Sequence, residues 1–206
     1  MKFTKKEIAF IKKMNTPEKV QDFLNTLEFN FEKDGIETLK SPIMVLRTGN
    51  AHCLEGAIFG AYVLSLHGFP PLIIHQEATK DDQDHTIAPF KINGLWGALS
   101  KTNHAVLRYR EPIYRSIREL MMSYFHEYFL NSSGLKTLRR YSRPLNLNIF
   151  KKKKWYINPN NLWYIDKKLD EIKHYDIAPK EIFKKLRKVD KIEIEAGKIV
   201  EYKKEK

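Results

Sequence analysis

The apolar positions of this chain alternate between helical and strand-like spacing. In "MNTPEKVQDFLNTL", Val20, Phe23, Leu24 and Leu27 recur at three- and four-residue intervals. Thr16 or Asn15 is placed to cap that helix, and Pro17 occupies its first turn. "EKDGIETLKSP" reads as a turn-rich connector. From Cys53 to Leu66 nearly every position is apolar, which predicts a central buried helix. It closes at His67-Gly68, where glycine supplies a left-handed turn. "FPPLIIHQEAT" then reads as a short buried strand and "DDQD" as an acidic loop. "HTIAPFKINGLWGALSKT" predicts a β-hairpin turning on Asn93-Gly94. Apolar residues at 113, 117, 120, 121, 124 and 128 predict an amphipathic helix opened by Pro112, with Arg115 and Arg118 on its exposed side.

"LKTLRRYSRPLNL" is basic and ends at Pro144, and the lysines at 151–154 mark a surface loop and a soft boundary. Beyond them "LWYID" reads as a strand, "APKEIFKKLRKV" as a helix and "KIEIEAGKIVEYK" as a second hairpin around Ala196-Gly197. The mixture predicts an α+β fold, with a core over 1–150 and a basic C-terminal extension over 151–206 packed on it. At 206 residues, 42% hydrophobic and 30% charged, the chain is expected to be globular rather than disordered. The net charge of +12 invites a nucleic-acid partner. Residues 151–206 hold 17 Lys and Arg against 10 Asp and Glu. A lysine-rich solvated surface is the favoured explanation of that excess. The longest apolar run is too short to cross a bilayer, and lysines interrupt every apolar stretch near the N-terminus. A lone cysteine makes no internal disulfide, so the expected setting is the reducing cytoplasm, with no membrane.

That cysteine, Cys53, falls in the first turn of the buried helix. Unpaired backbone N–H groups and the positive end of the helix dipole favour a thiolate there, and hence a nucleophile. A nucleophilic thiol needs a base, and His85 opens the first strand of the Asn93-Gly94 hairpin. A two-residue turn sets Lys91 opposite Trp96, Ile87 opposite Ser100 and His85 opposite Thr102. Ser100 is then the diagonal neighbour of His85 on the same face, placed to orient an imidazole. Asn103 points to the other face unless a bulge at Pro89, which has no N–H for the ladder, shifts the register.

The segments "LRTGNAHCLEGA" and "DHTIAPFKINGLWGALSKT" resemble the transglutaminase-like branch of the papain-like cysteine hydrolases. The resemblance covers residues 40–105. It implies a buried helix carrying the cysteine, packed on an antiparallel sheet carrying the histidine. Carried over by position, Cys53 is the nucleophile, His85 the base and Trp96 the aromatic that precedes the third residue. The family has an aspartate at that third position, and this chain has Ser100. A neutral serine holds an imidazole but adds no charge. The orienting role then falls to Ser100 or to Asn103, or the site is inactive and retained for binding. The implied chemistry is acyl transfer on a peptide or small amide through a thioester, without cofactor or metal. The oxyanion would lie near the backbone N–H of Cys53; a second donor is expected, which the sequence does not identify, Gln76 and Gln83 being only candidates.

Other readings rest on other residues. Cys53, His52, His75, Asp84, His85 and His104 are metal-ligand types, but they lack the close repeated spacing of a zinc site. Arg108 and Arg110, with Trp96, are candidates for contacting a substrate carboxylate, and with Arg115 and Arg118 they suit an anionic ligand. The plainer account makes Tyr114, Tyr124 and Phe125 core residues and the arginines a solvated face. Three functions follow: a cysteine hydrolase or acyltransferase, an inactive scaffold that binds a peptide or protein, or a nucleic-acid-binding protein using the basic C-terminal segment.

Overall fold

Side-chain caps start the N-terminal helices. Thr4 Oγ1 accepts from the Glu7 amide, and Glu7 returns a bond to the Thr4 amide, opening α1 (Lys5–Lys13). Thr16 caps α2 (Pro17–Thr26) with Pro17 in its first turn, as read from the sequence. The computed structural model describes residues 1–32 and 35–203. There follow β1 (Glu28–Phe29), α3 (Pro42–Thr48), β2 (Asn50–Ala51), α4 (Cys53–Ser65), β3 (Leu72–Glu77), β4 (His85–Ile92), β5 (Leu95–Ser100) and β6 (Arg110–Tyr114). The remainder comprises α5 (Ile117–Phe125), β7 (Arg140–Ser142), β8 (Leu145–Asn146), α6 (Trp163–Glu171), β9 (His174–Asp176), α7 (Lys180–Phe183) and α8 (Lys191–Gly197). Among the described residues no helix is long and apolar enough to cross a membrane.

The class is α+β. One sheet runs in the order β6-β5-β4-β3-β7-β9, with β8 also paired to β3, and all its pairings are antiparallel. The β4–β5 hairpin turns on Asn93 and Gly94, both at positive φ (49° and 83°), as a type I′ turn demands. Lys91 faces Trp96 and Ile87 faces Ser100, the register read from the sequence. Pro89 sits opposite Ala98 in an unbroken ladder, so the bulge considered there is absent. The register shift lies instead between β5 and β6, at Trp96 and Ala98.

Alternating residues cover both faces of the sheet. Ile73, Ala88, Phe90 and Leu99 pack with α4, whose residues from Leu54 to Leu64 are all buried. Ile74, Ile87 and Ala98 pack with Leu120, Met121 and Tyr124 of α5. Gly56 and Gly60 let α4 lie directly on β5. A Cβ at Gly56 would fall on Lys101 Cβ, and one at Gly60 would come within 2.8 Å of Leu99 Cδ1.

Several local expectations fail, each for a visible reason. Residues 110–114 form β6 on the edge of the sheet, and the helix begins only after Ser116, whose hydroxyl accepts from the Glu119 amide. "LWYID" is the start of α6, because Ile165 and Leu169, four residues apart, are the positions it buries. Lys191–Gly197 forms α8 rather than a hairpin. Asp190 and Glu193 make a capping box at its start, and Ile192 of the apparent alternation is exposed. The helix expected over "APKEIFKKLRKV" reduces to α7. In the 32–42 connector, Lys33 and Asp34 lie outside the described residues. Lys151 to Lys154 are exposed, as read, but Trp155 beyond them is buried edge-on against Tyr62 of α4. Leu162, Ile165, Leu169 and Ile172 belong to the same apolar cluster as α4.

Candidate active site

The head of α4 is fixed from below. α3 ends at Gly49 in the left-handed conformation (φ 71°), and the turn that follows is held by backbone bonds from Glu28 to Gly49 (3.0 Å) and from Asn30 to Ala51 (3.2 Å). His52 is the N-cap and Cys53 the first helical residue. The fully buried Glu55 carboxylate accepts from Thr38 Oγ1 (2.8 Å), the Lys40 amide (2.9 Å), Asn30 Nδ2 (3.0 Å) and the His52 amide (3.1 Å). Burial pushes its pKa up, but His52 and the Lys40 ammonium outweigh burial and hold it below the usual carboxylate value.

His85 is fixed from the sheet. His85 Nε2 lies 2.8 Å from Ser100 Oγ, and both residues are buried. Ser100 Oγ also lies 2.5 Å from the Leu107 carbonyl, to which it donates its one proton. The hydroxyl therefore accepts from His85, which puts a proton on Nε2 and leaves Nδ1 as the basic nitrogen of the neutral ring. Leu107 is held in the left-handed region (φ 60°), and its amide donates to Glu127 Oε2 at 2.9 Å. Gln21 of α2 clamps the Ser100 backbone from the other side, accepting from its N–H (2.9 Å) and donating to its C=O (2.8 Å).

Between these two frames sits the thiol. Cys53 is half-buried and lines a cavity of about 610 Å³ shared with Phe31, His52, Gln83, His85 and Tyr128. Burial alone would push the thiol pKa up. Hydrogen bonding by His52 and then His85 overcomes it and brings the value down to about 5. His52 responds in the opposite sense. Burial disfavours its charge, but the sulfur and Glu55 raise its pKa to about 9. Its Nε2 lies 2.9 Å from the Thr38 carbonyl and 3.7 and 3.9 Å from Glu55 and Glu32 carboxylate oxygens.

Of the residues singled out by the sequence, Cys53, His85 and Ser100 converge. Asn103 does not reach His85: its side chain bonds the Tyr202 backbone twice, donating to the carbonyl and accepting from the amide, each at 2.9 Å. The unbroken β4–β5 register is the reason, since it leaves Ser100 on the His85 face. Trp96 is half-buried in β5 against the α5 cluster, with Lys91 over its ring at 5.2 Å, and is off the cavity wall. Arg108 pairs with Glu201 (2.9 Å), and Arg110 with Glu127 (2.6 Å) while stacking on Tyr124. Both arginines are paired with carboxylates and stand outside the cavity lining. Gln83 lines the cavity, whereas Gln76 is buried within the sheet with Nε2 toward Met121 Sδ. His75 bonds Asp84 (3.0 Å) and His174 (3.1 Å), and His104 bonds the Gly197 carbonyl (3.2 Å). Among the described residues no three such side chains form a group that could hold a metal ion.

Gln21, Glu55 and the place of His52 beside Cys53 in the cavity were not legible as site features. The one available signal was the adjacency of His52 to Cys53 in a capping position. No protein-family model and no curated protein matches the chain. Among solved structures, Legionella pneumophila LapG is similar at 22% identity, with a TM-score of 0.35 over 46% of this chain. The match spans 58% of the LapG chain. At that distance the chemistry has to be read from this chain's own residues.

Proposed function

We propose that the protein is a cysteine hydrolase or acyltransferase acting on the amide bond of a peptide or small amide. The observation that carries the reading is the hydrogen-bond chain from Leu107 through Ser100 to His85, which commits Nε2–H and leaves Nδ1 to trade a proton with Cys53. On ionisation the thiol proton passes to His85 Nδ1. The thiolate attacks the carbonyl carbon, and the oxyanion forms near the Cys53 backbone N–H at the head of α4. The C–N bond breaks as Nδ1–H protonates the departing amine, leaving an acyl thioester on Cys53. Water or a second amine then gives its proton to Nδ1 and attacks the thioester. The acyl product departs, and the thiolate and imidazolium are restored.

The test is intact-mass spectrometry after mixing with p-nitrophenyl acetate. Wild type should gain and then lose one acetyl group on Cys53, and Cys53→Ala should gain none. In His85→Ala turnover should fall at least ~100-fold, the scale of lost acid–base catalysis. A wild-type protein that never turns over the adduct would favour the binding scaffold instead.

A further inference from the structure

The cleft holds a second imidazole that the proposed proton traffic does not use. His52 lines the cavity beside Cys53 from the turn that caps α4, whereas His85 lines it from the sheet. The Nε2 of His52 is 2.9 Å from the Thr38 carbonyl, an acceptor only, so that nitrogen carries a proton. Nδ1 is the ring's remaining nitrogen, on the residue that directly precedes Cys53 in the cap of α4. Among the described residues, the charged groups near this ring come from several elements. Glu55 comes from α4 itself at 3.7 Å, and Glu32 from the strand-following loop at 3.9 Å. Asp166 of α6 also feels its charge. Lys40 lies 3.5 Å from the same Glu55 carboxylate, and His85 shares the sulfur. Carboxylates therefore dominate around His52, and they favour its charged form.

Resting on the reading of Cys53 as nucleophile, we infer that His52 is a standing imidazolium: the fixed counter-charge that keeps the sulfur ionised whatever the protonation state of His85. The two rings divide the labour. When the thiol ionises, the S–H proton moves to a ring nitrogen, and the resulting thiolate accepts hydrogen bonds from both. His85 later gives its proton to the leaving amine and becomes neutral. His52 cannot follow, because its Nε2–H is tied to Thr38 and its charge is matched by Glu55. The sulfur that leaves the thioester is thus expelled as a thiolate beside a cation already in place. The raised pKa of His52 and the lowered pKa of Cys53 agree with this pairing. His52 acts through the sulfur, so it is a positioning and charge-pairing residue rather than a proton carrier.

The experiment is the pH dependence of Cys53 alkylation by iodoacetamide, in which the thiolate displaces iodide to form a thioether. Wild type should show a midpoint near 5. His85→Ala should keep an acidic midpoint while losing acyl turnover. His52→Gln should move the midpoint up by at least about one pH unit, which slows labelling roughly tenfold near pH 4 and about twofold near pH 6. A midpoint unchanged in His52→Gln, with wild type still acidic, overturns the inference and leaves the nucleophile intact. An ordinary thiol midpoint near 8.5 in wild type sinks the nucleophile reading itself. Should His52→Gln fail to fold, ¹⁵N NMR of the His52 ring in Cys53→Ser supplies the reciprocal measurement. Loss of the thiolate should lower the His52 pKa by at least about one unit from wild type. A His52 that titrates equally high in both proteins overturns the pairing.

Discussion

Ser100 Oγ has one proton to give, and Leu107 takes it. What remains for His85 is a lone pair, so the serine steadies the ring without cancelling the charge of an imidazolium. Ser100→Ala removes that acceptor and strands a buried N–H, which costs about 1–3 kcal/mol. Because that bond fixes the ring orientation and keeps the proton of the neutral ring on Nε2, acyl turnover should drop by roughly tenfold to a hundredfold. Alkylation of the thiol at pH 6 should change little, since His52 is untouched. Parallel assays of p-nitrophenyl acetate hydrolysis and iodoacetamide labelling separate the two. Equal losses in both would mean that Ser100 holds up the whole cleft rather than the base.

The element that aims the sulfur is α4, and what sets its height above the sheet is the absence of side chains at Gly56 and Gly60. A methyl at Gly56 meets Lys101 at its Cβ, an atom that moves only with the backbone just past β5. Gly56→Ala should therefore destabilise by about 1–3 kcal/mol, as overpacked cores do. It should lower the melting temperature by several degrees and slow Cys53 labelling, because the head of the helix is displaced from His85. Thermal unfolding followed by circular dichroism, with labelling on the same samples, checks both parts. The same helix explains what could be read from the chain. Eleven consecutive buried residues make α4 legible without any partner, and Asn93-Gly94 fixes the hairpin register by turn chemistry alone. Cys53, His85 and Ser100 follow from those two elements. Past residue 150 the signals are short and compete. "LWYID" hides its period until Leu169 is reached, and the Asp190–Glu193 box outweighs the alternation of Ile192 and Ile194. Gln21 is illegible for a plainer reason: its partner, the Ser100 backbone, is 79 residues away.

Across the whole molecule the excess positive charge lies mostly in water, and Lys101 is the informative exception. It is 1% exposed, donates to the Leu27 carbonyl at 2.5 Å and sits 5.5 Å from the Tyr202 ring centre. Burial pushes its pKa down to about 8, with Glu201 opposing the shift and Arg108 adding to it. An unfolded lysine holds its proton to about pH 10.4. Between about 8 and 10.4 the unfolded chain binds the extra proton, so this group makes stability rise with pH across that window. Below about 8 both states are charged and the penalty for burying the ammonium is constant, at about 3 kcal/mol. Lys101→Met removes the charge at similar length and leaves the Leu27 carbonyl without its donor, a loss of about 1 kcal/mol. The variant should thus melt several degrees above wild type at pH 7, and the gap should narrow as pH passes from 8 toward 10. Differential scanning calorimetry of both proteins at pH 7 and pH 10 reads the gap directly. A Lys101→Met variant that melts lower at pH 7, by a margin indifferent to pH, would mean that the Leu27 and Tyr202 contacts more than offset the burial of charge.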